Sequence, residues 1–396
     1  MDDKLPETPA YVYDLAQVRA NQAALVRALP AKSILYYSLK ANPHPDLLAE
    51  IRTGGARAEV CSAGELDAAL AAGWPPDEVL YTGPGKRDQD LAHAIASGIR
   101  RFSVDSVTGL DQLDRIAAIH GVEVRCLLRI NDDQPSPGQG LAMTGVASQF
   151  GADTSWVLAE PEKFASRPHV TVSGLHLYMG TNLTTVDDLV AQFQRSLDTG
   201  VRLCEVLRKH GADMHMLDLG GGFGAPFARA GEAVDLTGLR DELDRMLSGH
   251  DLTIAFESGR YLAGTAGTLY TTVLDVKQSH GKRVLVLDSG INHLGGMSGL
   301  RRLPPLVPDV RSPGDDLTDA MLAGPLCTPL DLWARSAPVP DVRPGDVLAI
   351  PNVGAYGLYA SLVAFLGHPL PIEVVVDGDA PPRISRLALT RNPTET

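Results

Sequence analysis

Residues 34–60 read ILYYSLKANPHPDLLAEIRTGGARAEV. Ile34–Ser38 is a short β-branched and aromatic run, Leu47, Leu48 and Ile51 fall at helical spacing, and Arg57–Val60 resumes a strand. A strand, a helix and a strand in that order make a crossover unit whose two strands lie parallel. The pattern continues. Strands are predicted at Glu78–Thr82, Arg101–Val104, Glu123–Ile130, Thr171–Tyr178, Met214–Leu219 and Thr253–Glu257, with helical stretches between them. One helical stretch carries Leu66, Ala69 and Leu70; another, Val186–His210, stops at Gly211, a good residue just past a helix end. Eight strands alternating with helices predict a buried parallel sheet, and eight is the number that closes a (β/α)8 barrel of about 250 residues. The barrel is expected over 25–265.

After Arg260 the pattern changes. Thr268–Val276, Arg283–Asp288, Val347–Ile350, Ile372–Val376 and Ile384–Leu389 read as strands with no helix between most of them. Pro and Gly cluster in Arg302–Pro313 and Ala337–Pro344. The expected class is therefore α/β: a TIM-type (β/α)8 barrel plus a mainly antiparallel β domain made of 266–396 with 1–24. No 20–50-residue repeat or low-complexity tract interrupts this reading.

Composition narrows the function. Lys and Arg number 35 against 48 Asp and Glu, a net charge of −13, so there is no basic excess to bind a nucleic-acid backbone. Cys61, Cys126, Cys204 and Cys327 lie far apart with no C-x-x-C pair, which argues against a disulfide scaffold or a cysteine zinc site; no metal is expected. The opening MDDKLPETPA has acids where a signal peptide carries Lys or Arg, and no run of 18 apolar residues occurs. A cytoplasmic protein without a membrane partner is expected.

In a TIM-type barrel the chemistry gathers at the C-terminal strand ends, with phosphate bound after the last two strands. Lys40 follows the apolar Ile34–Leu39 stretch and precedes Asn42-Pro43. It reads either as a solvated strand-end lysine or as a partly shielded amine suited to Schiff-base chemistry. Asp218-Leu219-Gly220-Gly221-Gly222-Phe223-Gly224 reads as a tight turn or as a nest of backbone N–H groups for an anion. Gly220-x-Gly222-x-x-Ala225 also fits a dinucleotide fingerprint, but Pro226 follows at once and the motif lies deep in the alternation. In Phe256-Glu257-Ser258-Gly259-Arg260, a carboxylate behind an apolar strand needs a cationic or proton-donating partner. An amine, an anion nest and a buried acid together suit pyridoxal 5′-phosphate, with its aldehyde, phosphate and ring nitrogen.

These segments resemble the alanine-racemase-like barrel decarboxylases that use pyridoxal phosphate, the group of diaminopimelate, ornithine and arginine decarboxylases. Tyr36–Asn42 resembles the cofactor-lysine segment; Ser62-Ala63-Gly64-Glu65-Leu66 and Val104-Asp105-Ser106 resemble barrel-loop signatures; Gly220–Gly224 and Glu257–Arg260 resemble the phosphate and pyridine segments. Gly324-Pro325-Leu326-Cys327-Thr328-Pro329-Leu330-Asp331 and Gly354-Ala355-Tyr356 resemble two C-terminal active-site motifs, and the order of all seven is the family's. The resemblance implies that Lys40 holds the cofactor in Schiff-base linkage, and that Gly220, Gly221, Gly222, Gly259, Arg260 and Tyr356, helped by Gly180 and Thr181, hold its phosphate. It further implies that Glu257 pairs with the pyridine nitrogen, that Arg129 and Tyr178 lie near the cofactor, and that Cys327 donates a proton in the partner subunit's active site across a homodimer.

Departures from the pattern bear on the substrate. The family's H-x-H-x-G-S appears as His176-Leu177-Tyr178-Met179-Gly180-Thr181, so a stacking histidine is replaced by Tyr178, which can stack but cannot donate an imidazolium proton. Relatives acting on substrates with a distal ammonium place an acid directly after the cysteine; here Thr328 and Pro329 follow Cys327. The R-P-A-L-Y pattern of diaminopimelate decarboxylases is replaced by Ile291–Met297 ahead of Arg301 and Arg302. The chain thus resembles a specialised branch with a C-T-P-L-D motif, some of whose members act on carrier-linked amino acids. Thr328, Asp331, Arg301 and Arg302 are its candidate substrate residues, although the two arginines also read as a solvated surface pair. The competing readings are a basic amino-acid decarboxylase, a racemase, whose pyridine partner is an arginine rather than Glu257, and a non-catalytic single-barrel cofactor carrier, which needs no C-terminal domain.

Overall fold

The computed structural model describes residues 5–133, 144–295, 308–310 and 317–393. They form two compact units, Arg19–Ala225 with Ala233–Leu262, and Met1–Val18 and Pro226–Glu232 with Ala263–Thr396.

After β1 (Ala10–Asp14), which belongs to the second unit, the barrel strands are β2 (Ile34–Ser38), β3 (Arg57–Val60), β4 (Val79–Tyr81), β5 (Arg101–Val104) and β6 (Val124–Asn131). A two-residue β7 (Ala152–Asp153) is followed by β8 (Val170–Leu177), β9 (Met216–Asp218) and β10 (Thr253–Ser258). The sheet runs β5-β4-β3-β2-β10-β9-β8-β6-β7, and a β5–β6 pairing closes the eight long members into a barrel. Every pairing among them is parallel, so no edge is left except the short β7 on β6. Tyr36, Leu80, Leu127, Met216 and Ala255 form a buried cluster inside the barrel.

The crossover helices include α1 (Leu15–Ala28), α2 (Pro45–Thr53), α3 (Ala63–Ala71), α4 (Asp88–Ala96), α5 (Val107–Ile119), α6 (Thr154–Ala159), α7 (Val186–Arg208) and α8 (Leu239–Leu247). Side-chain caps start α2, α3, α5 and α7: His44 Nδ1 accepts from Asp46 N, Ser62 Oγ from Glu65 N, Ser106 Oγ from Gly109 N and Thr185 Oγ1 from Asp188 N. Ser62 and Ser106 belong to the two loop signatures, and capping is the work the structure gives them. Glu65 returns the favour by accepting from Cys61 N at 2.7 Å.

In the second unit, β11 (Gly267–Ser279), β12 (Lys282–Leu287), β13 (Leu317–Ala323), β14 (Leu332–Pro340), β15 (Val347–Ile350), β16 (Ile372–Val376) and β17 (Arg383–Arg386) join β1. The order is β14-β13-β12-β11-β1-β16-β17 with β15 on β11; β1–β16 and β12–β13 are parallel and the rest antiparallel. Three strands have no counterpart in the sequence reading. β1 and β13 hold their shape through neighbours on both sides, and β14 contains Pro338 and Pro340 and survives because it is the sheet edge. Pro226–Glu232 also joins this unit unforeseen: Asn352 Nδ2 donates to Arg229 O at 2.6 Å. Among the described residues, no helix is long and apolar enough to cross a membrane.

Candidate active site

Polar side chains meet at the C-terminal ends of the barrel strands. Lys40 lies on a one-turn 3-10 helix, Leu39–Ala41, directly after β2. Tyr37 Oη donates to Asn42 O at 2.8 Å, and the Asn42 side chain accepts from His44 N at 2.9 Å, so the Lys-Ala-Asn-Pro-His stretch is a pinned turn. Lys40 Nζ lies 3.5 Å from Oε2 of Glu59, which is fully buried on β3 while the lysine is partly exposed. Burial works against the Glu59 carboxylate, but the Lys40 charge and hydrogen bonds from Thr82 and Cys61 outweigh it and hold its pKa well below the usual range. Desolvation pushes the Cys61 thiol up, so that neighbour stays protonated.

Across the barrel, Ser103 on β5 bonds His176 Nδ1 at 2.9 Å, and His176 Nε2 lies 3.2 Å from Glu257 Oε1. That contact has ion-pair distance without hydrogen-bond alignment, so both atoms remain unsatisfied among the described residues. Burial disfavours the imidazolium, yet the Glu257 charge prevails and raises the His176 pKa. Asp218 completes a buried trio whose ligand-type atoms lie within 4.8 Å of one another. Desolvation and the adjacent Glu257 raise the Asp218 pKa to about 7, and its Oδ1 accepts from Gly220 N at 2.9 Å. Arg129, also buried, lies 4.4 Å over the Phe150 ring.

The triple glycine follows β9. Gly222 has φ +107°, a conformation side chains rarely adopt, and a Cβ on Gly221 would stand 2.3 Å from Glu257 O. The loop is held by Gln192 Nε2 to Gly221 O at 2.8 Å and by Leu183 N to Gly222 O at 2.8 Å. Tyr178 lies against Gly220, and its hydroxyl is 3.5 Å from Thr181 Oγ1; Gly180 is buried beside it. Gly259 packs on the lysine turn, where a Cβ would meet Ala41 Cβ at 2.6 Å, and Arg260 starts α9 (Arg260–Ala263).

In the second unit, Cys327 is an exposed free thiol in a turn, beside half-buried Thr328. Asp331 is buried, and its two oxygens accept from Ile291 N and Leu326 N, each at 2.8 Å. Tyr356 has φ 57° and follows Gly354, whose N donates to Gly264 O at 3.0 Å. Arg301 and Arg302 lie outside the described residues.

Residues 15–264 match the family "Pyridoxal-dependent decarboxylase, pyridoxal binding domain". The chain belongs to the pyridoxal-dependent decarboxylases. It is 34% identical over 382 residues to the L-glutamyl-[BtrI acyl-carrier protein] decarboxylase of Niallia circulans, covering 93% of this chain and 89% of that one. With the diaminopimelate decarboxylase of Zymomonas mobilis it shares 30% over 396 residues, covering 96% and 91%. The crystal structure of Helicobacter pylori diaminopimelate decarboxylase complexed with L-lysine superposes with TM-score 0.85 at 26% identity, covering 98% of this chain and 96% of that one. This decarboxylase is a carboxy-lyase that uses pyridoxal 5′-phosphate.

Its residues fit that cofactor. The glycine loop packs too closely on Leu177, Tyr178 and Glu257 to admit a Cβ at Gly220 or Gly221 and so presents backbone alone, Lys40 supplies an amine, and buried Glu257 Oε1 lacks a well-aligned hydrogen-bond donor among the described residues, as an acid awaiting a ring N–H would. Sequence reading of this decarboxylase overlooks the Lys40–Glu59 pair, Asp218, Ser103 and Lys86. The last is half-buried, donates to Gly83 O and, at 2.6 Å, to Ser103 O, and has its pKa lowered to about 8 by desolvation. Position was the available signal: Glu59, Ser103, Arg129, His176, Asp218 and Glu257 each lie within two residues of a barrel-strand end.

Proposed function

We propose that this enzyme decarboxylates an amino-acid substrate with no free distal ammonium, such as an aminoacyl group presented on a carrier protein. The observation that carries this reading is the state of the Cys327 loop. A distal ammonium needs a carboxylate, and Thr328 offers only a hydroxyl. The acid of that loop, Asp331, already spends both oxygens on the backbone N–H groups of Ile291 and Leu326. Burying an ammonium without its acid costs several kcal/mol, about 3–5. The likeness to an enzyme named for a carrier-bound glutamyl group supports the same reading. Arg301 and Arg302 are assigned to an anionic or carrier-borne part of the substrate, and Asp331 to holding the turn that presents Cys327 and Thr328.

In this reading Lys40 binds the cofactor aldehyde, and Gly220, Gly221, Gly222, Gly259, Arg260 and Tyr356, with Gly180 and Thr181, bind its phosphate. Tyr178 and Arg129 would lie near its ring. When bound, pyridoxal phosphate supplies the electron sink that makes loss of CO2 from Cα feasible. Glu257 would pair with the ring nitrogen and, as a buried acceptor, would favour its protonated form. His176, held by Ser103, keeps Glu257 in place and shares its charge. Glu59 would steady the Lys40 ammonium. Cys327 Sγ delivers the proton that replaces the carboxylate on Cα, from the partner subunit of a homodimer.

The test is CO2 release and product mass across free glutamate, lysine, ornithine and meso-diaminopimelate, and the same aminoacyl groups on a carrier protein. Turnover confined to substrates without a free distal ammonium supports the proposal. Turnover of lysine, ornithine or meso-diaminopimelate at about 1 per second or faster, an ordinary enzymatic rate, overturns it.

A further inference from the structure

The inward-facing side chains of a barrel strand alternate, so the positions that deliver Glu59, Ser103, Arg129 and Glu257 to one mouth also determine what lines the other. Two residues before Glu59 is Arg57; two before Ser103 is Arg101; four before Arg129 is Arg125; four before Glu257 is Thr253. Arg57, Arg101 and Thr253 are the first residues of their strands and Arg125 the second of its own. They line, with His215 and Tyr36, a cavity of about 140 Å³ at the N-terminal mouth, just outside the buried layer of Tyr36, Leu80, Leu127, Met216 and Ala255.

This mouth is unusual in its charge. The chain carries 13 more acids than bases, yet none of the described carboxylates pairs with Arg57, Arg101 or Arg125. Arg101 and Arg125 are register neighbours across β5 and β6, and like charges side by side on neighbouring strands are unfavourable. Tyr36 is the register neighbour of Arg57 across β2 and β3, wholly buried, and its hydroxyl has Arg57 and Arg101 bearing on it but forms no well-aligned hydrogen bond among the described residues. A buried hydroxyl without a well-aligned partner is destabilising, and the three arginines line one cavity with no carboxylate to offset their charge. One small oxyanion would answer both: it accepts from the hydroxyl and neutralises the arginines, which are the residues best shaped for a tetrahedral anion.

The geometry points to an anion site at the N-terminal mouth of the barrel, built by Tyr36, Arg57, Arg101 and Arg125, for phosphate or a small phosphate monoester. It lies at the end of the barrel opposite Lys40 and Glu257 and is independent of the substrate reading above. N-terminal mouths of such barrels ordinarily serve stability alone.

The experiment is isothermal titration of inorganic phosphate into the pyridoxal-phosphate-loaded enzyme at low ionic strength, so that the glycine cradle is already filled. Expected is one saturable site per subunit, at least about tenfold weaker in the Arg57→Gln/Arg101→Gln double variant and about three- to tenfold weaker in Tyr36→Phe, with decarboxylation unchanged in Tyr36→Phe. Arg125→Gln, at the exposed rim, serves if the double variant does not fold. A parallel titration with glycerol 3-phosphate separates the sources: tighter binding than phosphate marks an organic monoester as the occupant, weaker binding marks the free ion. Absence of a saturable site, equal affinity in folded variants, or displacement by chloride at equal concentration overturns the assignment.

Discussion

Asp218 occupies a costly place for a carboxylate. It is fully buried, with Glu257 next to it, and the partial relief comes from His176 and from the N–H of Gly220. Its pKa is therefore raised in the folded state, to about 7 from about 4, so the native protein binds more protons than the unfolded chain between those values. The contribution of Asp218 to stability is complete below about pH 4 and is lost as pH rises through 7. Asp218→Asn keeps a carbonyl for Gly220 N and removes the titration. Urea unfolding of the apoprotein is expected to show the variant gaining on the wild type by roughly 1–3 kcal/mol between pH 5 and pH 8; an equal difference at both pH values would contradict this role. At this scale the sequence was legible where a motif marks the residue. Lys40, Glu257 and the glycines announce themselves, whereas Asp218 and Glu59 matter through strands distant in sequence, and only closure of the barrel brings them together.

Elements were legible where local pattern and tertiary demand agree. The eight barrel strands have predictable apolar runs because both of their faces are covered, and α7 has its Thr185 cap and amphipathic face. β13 and β14 were not legible, since LTDAMLA lacks a strand's composition and LWARSAPVP contains two prolines; cross-strand pairing and an edge position make them strands. The glycine loop after β9 is an element defined by what it lacks. Gly221→Ala would press a methyl group against Glu257 O, where a Cβ would stand 2.3 Å away, and the loop must move outward to relieve it. Pyridoxal-phosphate affinity, followed by equilibrium dialysis, should fall at least about tenfold, about 1.4 kcal/mol, with the barrel still folded by circular dichroism. Unchanged affinity would remove the loop from the cofactor site.

For the molecule as a whole, two architectures were legible but not the excursion of Pro226–Glu232, which leaves the barrel unit by hydrogen bonds to a loop more than a hundred residues away. If two subunits share each active site, Lys40→Ala and Cys327→Ala proteins, each inactive alone, should regain roughly a quarter of wild-type decarboxylation when refolded together, since half the random dimers are mixed and each of those has one intact site. No recovery would place Lys40 and Cys327 in the same subunit's site.

The most direct test of the account asks which of the chain's eight lysines the cofactor uses. Lys86 is a real competitor, being half-buried with a pKa lowered to about 8. Borohydride reduction of the pyridoxal-phosphate-loaded enzyme, followed by digestion and peptide mass mapping, is expected to leave the pyridoxyl group on Lys40 alone and to leave Lys40→Ala unlabelled. Label on Lys86, or on no single lysine, would contradict the assignment of this site.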